Sequence, residues 1–412
     1  MIIKHTCPNG VRVVLEKIPT VRSVAIGVWI GTGSRFEVPA TNGVSHFLEH
    51  MFFKGTKTRS AREIAESFDS IGGQVNAFTS KEYTCYYAKV LDTHAPRALD
   101  VLSDMFFHST FDEQELLKEK NVVLEEIKMY EDTPDDIVHD MLSRASFTDH
   151  PLAYPILGTE ETLHTFNGDA LREYMSHHYT PENVVVSVAG NVDDSFIKEI
   201  EELFGSYQGE ASDAPLQAPT FTSGRIARVK ETEQAHLCLG YPGIALKDPS
   251  SFSLVVLNNI FGSSMSSRLF QEVREQRGLA YSVFSYHSAY RDNGLFTIYG
   301  GTAPHQLDEL YDTIEKIVND LKDNGITEKE LLNSKEQIKG SLMLSLESTN
   351  SRMSRNGKNE LILNRHRTLD EMTGLIDEVT VESVNALARQ IFSTPCSASL
   401  VSPTGELPKR LQ

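Results

Sequence analysis

Two histidines and a glutamate stand close together in His46-Phe47-Leu48-Glu49-His50, which leads into an apolar run. On a helix, residues four apart share a face, so His46 and His50 can direct both imidazoles at one metal ion. Glu49 follows His46 by three residues and lies on the same side, within reach of a water molecule on that ion. The spacing therefore predicts a short helix that carries two metal ligands and one acid–base group.

The order His-x-x-Glu-His is the inverzincin pattern, the reverse of the His-Glu-x-x-His order of other zinc peptidases. A short pattern also arises by chance, so its meaning depends on a third ligand elsewhere in the chain. Residues 111–130 have the periodicity of a charged amphipathic helix, and Glu119 and Glu126 lie two turns apart on one of its faces. Either carboxylate can complete a set of two histidines and a glutamate while the other supports it, and a solvated helix face is the alternative.

Length and composition limit the classes of protein to consider. A chain of 412 residues exceeds what one hydrophobic core usually serves, which predicts two domains. The formal net charge of −18 argues against nucleic acid or an anionic membrane as partner, and suits a basic or neutral peptide, or solubility alone. The chain has no membrane-spanning apolar stretch and no signal-peptide core, so a cytoplasmic location is predicted. Its four distant cysteines indicate free thiols.

The two halves of the chain repeat one order of elements. In the first half the predicted strand, helix, strand region and charged helix cover 24–30, 46–50, 74–90 and 111–130. The second half has a strand at 236–241, a helix at 252–261, strands at 280–286 and 295–300, and a long helix that starts near Thr327. A repeat of this length indicates duplicated domains, so an α+β fold of two related domains is predicted.

The second half lacks the metal-binding pattern. Aligning 115–118 with 330–333 places Ser334 opposite Glu119. In the same register Ser341 stands opposite Glu126, so only the first domain is expected to hold a metal. The predicted bounds are 1–208 for the metal-binding domain, 209–223 for a linker rich in Gly, Ser, Pro, Ala and Gln, and 224–412 for the second domain.

Several longer stretches support a family assignment. They are HFLEHMFFKGT (46–56) followed by Glu126, GQVNAFTS (73–80), HYTPEN (178–183), AGN (189–191) and FQEVREQRGLAY (270–281). With these stretches the chain resembles, over essentially its whole length, the pitrilysin-like (inverzincin) zinc metallopeptidases. That family includes insulin-degrading enzymes and mitochondrial processing peptidases.

The resemblance implies a role for each residue of the metal site. His46, His50 and Glu126 would bind zinc, with one Zn²⁺ per subunit. Glu49 would be the general base that takes a proton from water on the zinc. Glu119 would support the ligands as an outer carboxylate.

The resemblance also implies residues that contact the substrate. Arg274 and Tyr281 match the family's Arg-x6-Tyr pair: Tyr281 would donate a hydrogen bond to the tetrahedral oxyanion, and Arg274 would hold a substrate carbonyl or carboxylate. Asn76, Ala77 and Phe78 would lie on an edge strand to which an extended peptide adds as a further strand.

For the whole molecule the resemblance implies two homologous α/β-roll domains, each an antiparallel sheet covered by helices, that form a clam-shell chamber. The chain is similar to the short two-domain branch, which includes the beta subunit of mitochondrial processing peptidase and bacterial processing proteases. We therefore expect a homodimeric zinc metalloendopeptidase acting on unfolded or extended peptides, whether presequence-like or small. The alternatives are a non-catalytic structural or assembly subunit, which should have damaged ligands, and one half of a hetero-oligomer whose partner supplies the Arg–Tyr pair.

Overall fold

A computed structural model describes residues 2–209 and 216–412. The chain divides into two compact units, each made of three segments. The first unit comprises Met1–Lys128, Tyr154–Leu216 and Ser345–His366, and the second comprises Met129–Ala153, Gln217–Leu344 and Arg367–Gln412. Unlike the contiguous halves predicted from the sequence, the compact units exchange segments 129–153 and 345–366. Residues 210–215 of the predicted linker lie outside the described residues.

The first unit contains a six-stranded sheet. Its strands are β1 (Ile2–Thr6), β2 (Arg12–Lys17), β3 (Ser23–Ile30), β4 (Gln74–Thr79), β5 (Thr84–Leu91) and β6 (Val184–Gly190). They lie in the order β1-β2-β6-β3-β5-β4, so β4 is an edge strand. The predicted strand region 74–90 is thus the hairpin of β4 and β5, paired from Gln74–Lys89 to Thr79–Thr84.

The second unit contains a five-stranded sheet of the same plan. Its strands are β7 (Arg225–Val229), β8 (Ala235–Pro242), β9 (Ala280–Ala289), β10 (Gly294–Thr302) and β11 (Ser397–Ser402). The order β7-β11-β8-β10-β9 repeats that of β2-β6-β3-β5-β4, which confirms two related α+β domains. The prediction of antiparallel sheets needs one correction: β2–β6 and β7–β11 are parallel, because in each pair the chain returns through a long connection that crosses over.

The described ranges contain fourteen α-helices. They are α1 (Val44–Met51), α2 (Ala61–Asp69), α3 (Ala95–His108), α4 (Glu113–Asp132), α5 (Pro134–Phe147), α6 (Glu160–Thr165), α7 (Gly168–His178), α8 (Phe196–Phe204), α9 (Ser251–Asn258), α10 (Leu307–Asn324), α11 (Glu328–Ser345), α12 (Thr349–Lys358), α13 (Leu369–Asp377) and α14 (Val381–Ile391). Short 3₁₀ turns occur at Ser34–Phe36, Pro39–Thr41, Asp92–His94, Pro151–Ala153, Pro181–Asn183, Pro304–Gln306 and Lys409–Leu411, and π-helical turns at Asn259–Ser263, Phe270–Gln276 and Asn359–Leu363. Within these ranges, no helix has both the length and the apolar character needed to cross a membrane.

The elements predicted from periodicity are present. Helices α1 and α4 cover the predicted metal-binding segments, and α9 and α11 are their counterparts in the second unit. Ser334 of α11 is buried, as is Glu119 of α4, which agrees with the register that set them opposite each other. The four cysteines are free and buried, as expected.

The exchanged segments are held by specific packing. Helix α12 lies on β3 and β6 of the first sheet, where Trp29 Nε1 donates to Met353 Sδ at 3.4 Å and Ser187 Oγ donates to the Met353 carbonyl at 2.8 Å. Helix α5 lies on β8 and β11 of the second sheet, where Ser399 Oγ donates to the Val138 carbonyl at 2.6 Å. Each half of the sequence therefore contributes one helix to the unit built mainly from the other half.

Candidate metal centre

The core of the first unit sets the orientation of α1. Phe47, Leu48 and Met51 are buried in that core with side chains from β2, β3, β5, β6 and α3. Because these three residues occupy the inward face of the helix, His46 and His50 are left at its edge, beside α4. The burial of these apolar residues therefore determines the direction in which the two imidazoles point.

The predicted ligands converge. His46 Nε2 lies 3.3 Å from His50 Nε2, and Glu126 Oε2 lies 3.7 Å and 3.5 Å from these two atoms. In tetrahedral zinc sites with ligand distances near 2.0–2.1 Å, neighbouring ligand atoms are about 3.3 Å apart. Among the described residues this is the one group of three such side chains whose ligand atoms lie within 4.8 Å of one another. The donor types and their spacing fit a zinc ion.

Glu119 and Glu126 take different positions, which the sequence spacing left open. Glu119 is buried behind His50, with Oε1 2.8 Å from His50 Nδ1, so this ring nitrogen donates and Nε2 faces Glu126. Lys54 Nζ lies 2.6 Å from the other oxygen of Glu119. The result is a chain from lysine to carboxylate to imidazole that fixes the ring orientation, as outer residues of metal sites do. Sequence reasoning missed Lys54, although it stands four residues after His50.

The electrostatics of the two histidines differ. Burial, together with the charge of His50, lowers the pKa of His46 to about 4, so this imidazole is neutral near pH 7. Burial alone would lower the pKa of His50, but hydrogen bonding and attraction to Glu119 and Glu126 raise it to about 9. The pKa of Glu119 is held below its usual value despite burial, because His50 and Lys54 donate to it. Glu119 and Glu126 therefore supply negative charge that would balance a divalent cation.

Glu49 is held by a threonine from the edge strand. Thr79 Oγ1 donates to Glu49 Oε2 at 2.5 Å. Burial raises the pKa of Glu49, although the bond from Thr79 acts in the opposite direction. A raised pKa brings a carboxylate closer to the value that suits a general base at neutral pH. Sequence reasoning missed Thr79. The one signal available in the sequence is the alternation of the strand, which places Thr79 on the same face of β4 as Ala77.

The predicted substrate strand is β4. It pairs with β5 on one side and is the last strand of its sheet on the other. Asn76 is exposed and its Oδ1 accepts from the Ala77 N–H at 2.8 Å. Phe78 lies on the same face of β4 as Asn76, with its ring centroid 5.6 Å from that of Trp29 and 6.2 Å from that of Tyr83. The strand therefore offers one open edge and an aromatic cluster beside it.

The second unit brings Arg274 and Tyr281 together. Arg274 lies on the π-helical turn and its guanidinium carbon is 4.8 Å from the centre of the Phe270 ring. It is also 4.4 Å from the centre of the Tyr281 ring, at the start of β9. The Tyr281 side chain is 77% exposed, so this cation–π pair presents its phenol to solvent.

Comparison with known families agrees with the two-unit fold. A family model described as insulinase (peptidase family M16) matches residues 12–160, and one described as the M16 inactive domain matches residues 165–338. The second description agrees with the absence of the His-x-x-Glu-His pattern from the second half.

Relatives and solved structures align along the full chain. An uncharacterized zinc protease of Bacillus subtilis, YmxG, is 67% identical over 99% of this chain and 100% of its own length. An uncharacterized zinc protease of Streptomyces coelicolor is 42% identical over 97% of this chain and 89% of its own. The crystal structure of a protease from Helicobacter pylori has a TM-score of 0.91 at 23% identity, covering 98% of this chain and 99% of that one, which is a likeness of fold.

Proposed function

This chain belongs to the insulinase family of peptidases, family M16, and we propose that it is a zinc-dependent endopeptidase that hydrolyses extended peptides. The observation that carries the proposal is the convergence of His46, His50 and Glu126, at 3.3–3.7 Å, next to the half-buried carboxylate of Glu49. A structural subunit that had lost its activity should show damage in this set. All four residues are present and placed together, which argues against that alternative.

In the proposed reaction, zinc held by His46, His50 and Glu126 would lower the pKa of a water molecule and polarise the scissile carbonyl. The Glu49 carboxylate takes a proton from the attacking water and passes it to the leaving amine. Thr79 keeps that carboxylate oriented during both transfers, because its hydroxyl bonds to one oxygen and leaves the other free.

The open edge of β4 supports an extended peptide as the substrate. A peptide that adds as a further strand gains main-chain hydrogen bonds, so many side chains are tolerated. The Ala77 N–H becomes available to the peptide when the Asn76 side chain turns away from it. We propose that the two domains enclose such peptides in a chamber, and that folded proteins are rejected because they cannot supply a free strand.

We also propose that the protein acts as a homodimer in which Arg274 and Tyr281 of one subunit serve the metal site of the other. Mixing a Glu49→Gln subunit with a Tyr281→Phe subunit tests this sharing. Mixed dimers would carry one doubly damaged site and one intact site, so activity should return. If verified mixed dimers stay inactive, the sites are not shared between two copies of this chain. Each complete site would then lie within a single chain or need a different partner.

The proposed function is tested with purified protein, a metal chelator and quenched-fluorescence peptides. We expect about one zinc per chain, cleavage within unstructured peptides, loss of cleavage after chelation, and recovery on adding zinc. A compact folded protein under native conditions should remain intact. Metal-free protein that cannot take up zinc, or cleavage that survives chelation, would contradict the proposal.

Thr79→Val should lower kcat by roughly tenfold, since the isosteric side chain removes the donor to Glu49 and leaves a half-buried carboxylate oxygen without that partner. Thr79→Ser keeps a hydroxyl and should retain most of the activity. The comparison is of kcat for one peptide at several pH values. The loss of the bond raises the pKa of Glu49, so the acidic limb of the Thr79→Val profile should move to higher pH. Equal kcat and equal profiles for both variants would exclude this role.

A further inference from the structure

The helix that carries both histidines has an unusual N-terminus. Helix α1 has only eight residues, and its N-cap, Gly43, has φ +94° and no side chain with which to cap it. A glutamate six positions earlier takes over that function. Glu37 Oε2 accepts from the Gly43 N–H at 2.8 Å and from Asn42 Nδ2 at 2.9 Å, and Oε1 accepts from the Ser45 N–H at 2.8 Å.

Glu37 is only 2% exposed, and burial raises the pKa of its carboxyl, while its hydrogen bonds with Gly43, Ser45 and Asn42 act in the opposite direction. Each of these three partners donates, and an ionised carboxylate accepts from all of them without conflict. Negative charge at the first turn also interacts favourably with the helix dipole. Moving the end of α1 would separate this buried carboxylate from its donors, and an unpaired buried carboxylate is costly. The contacts therefore hold the helix end in one position.

The residues just before Glu37 attach the same loop to the β4–β5 hairpin. The Arg35 N–H donates to the Lys81 carbonyl at 2.8 Å, and Arg35 Nη1 donates to Glu82 Oε1 at 2.7 Å in a buried ion pair. At Gly33 the hairpin approaches so closely that a Cβ would lie 2.1 Å from the Ser80 carbonyl oxygen. Residues 33–37, here called the bracket, thus join the turn after β4 to the start of α1.

We propose that Glu37 is a positioning residue that fixes α1 relative to β4 and thereby holds His46 and Glu49 in place for the metal and the attacking water. An eight-residue helix is not stable alone, so its position depends on its ends and its packing. One end of the bracket holds the strand that ends in Thr79, the partner of Glu49, and the other end holds the helix. Displacements of about 1 Å in such sites cost up to about 100-fold in rate. The inference deepens the proposed function and rests on it.

Glu37→Gln tests the role with almost no change in volume. Whichever way the amide is turned, its NH₂ group faces the N–H of either Gly43 or Ser45, so two donors oppose each other. Glu360→Gln is the matched control. Glu360 is 1% exposed, accepts from Lys4 and His366, and lies beside β1 and β2, at the edge of the sheet opposite β4.

Both variants are stripped of metal and titrated with Co²⁺, whose d–d absorption reports the ligand geometry, and with Zn²⁺ against a competing chelator. For Glu37→Gln we expect an altered Co²⁺ spectrum, a zinc Kd weaker by about 10-fold or more, and a similar loss in kcat with KM nearly unchanged. Glu360→Gln should lose stability but keep the wild-type spectrum and zinc Kd. Glu37→Asp keeps the charge, so its zinc Kd and kcat should lie between those of the wild type and Glu37→Gln. It replaces Glu37→Gln in the test if that variant does not fold.

A folded Glu37→Gln or Glu37→Asp protein with the wild-type Co²⁺ spectrum and zinc Kd would overturn the inference. So would an equal spectral change in Glu360→Gln, because the effect would then follow from stability alone. If the wild type binds metal but cleaves no peptide, the proposed function fails while the spectra still decide the role of Glu37. If the wild-type protein binds neither Co²⁺ nor Zn²⁺, both the proposed function and the role of Glu37 are overturned.

Discussion

Replacement of Glu49 by glutamine should lower kcat for peptide hydrolysis by about 10³-fold, the typical contribution of a positioned acid–base group. The amide cannot accept a proton from water at neutral pH. Its carbonyl can still accept the bond from Thr79, so the local structure should be kept. Because Glu49 is not one of the three converging ligands, zinc content should equal that of the wild type. The measurements are metal analysis and single-turnover cleavage of one peptide.

A matched substitution on α4 controls for a general effect of removing a carboxylate. Glu125 is exposed and pairs only with Lys128 in the described structure, at 2.7 Å. Glu125→Gln should keep both zinc and kcat within about twofold, as surface substitutions usually do. Wild-type turnover in Glu49→Gln would remove the general base from the mechanism, whereas loss of zinc would indicate that Glu49 also serves the metal.

The pairing of His46 with His50 on one helix could be predicted from the sequence because its signal is local. His46 and His50 are one helical turn apart, and the apolar residues between and after them define the buried face of the helix. Periodicity also placed Glu119 and Glu126 on one face of α4. It could not decide which of them would face the histidines, since that choice depends on how α4 packs against α1.

The remaining parts of the site depend on tertiary contacts with no periodic signal. Lys54 reaches Glu119 across 65 residues of sequence, and Thr79 reaches Glu49 across 30. Both lie in quoted stretches, yet nothing in their spacing identifies a partner. Glu37 is a further case, because a cap supplied from outside the helix leaves no pattern at the cap position itself.

The exchange of α5 and α12 was missed for a related reason. An amphipathic helix shows that it packs on something, but periodicity does not say on which sheet. The contiguous bounds at 209–223 followed from composition, which marks an exposed connector and not the extent of a compact unit. Contacts such as Trp29 with Met353 join residues 324 positions apart and can be recognised only in the folded structure.

Gly357→Ala should destabilise the first unit by about 1–3 kcal/mol, the usual cost of overpacking a core. Alanine normally stabilises a helix relative to glycine by about 1 kcal/mol, so the expected sign is opposite to the helix propensity. The reason is the exchanged helix: a Cβ at position 357 would lie 2.3 Å from Trp29 Nε1, on a ring that is 2% exposed. Gly340 of α11 has open space around its Cβ, so Gly340→Ala should be stabilising.

Trp29 is the only tryptophan, so its fluorescence reports this contact directly. Urea unfolding followed by Trp29 emission should give a lower midpoint for Gly357→Ala and a higher or equal midpoint for Gly340→Ala. The native emission of Gly357→Ala should also shift to longer wavelength, because the displaced α12 admits water to the indole. Stabilisation by both substitutions would mean that α12 does not pack on β3. Helix α12 would then not belong to the first unit, and another element would have to pack on that face of the first sheet.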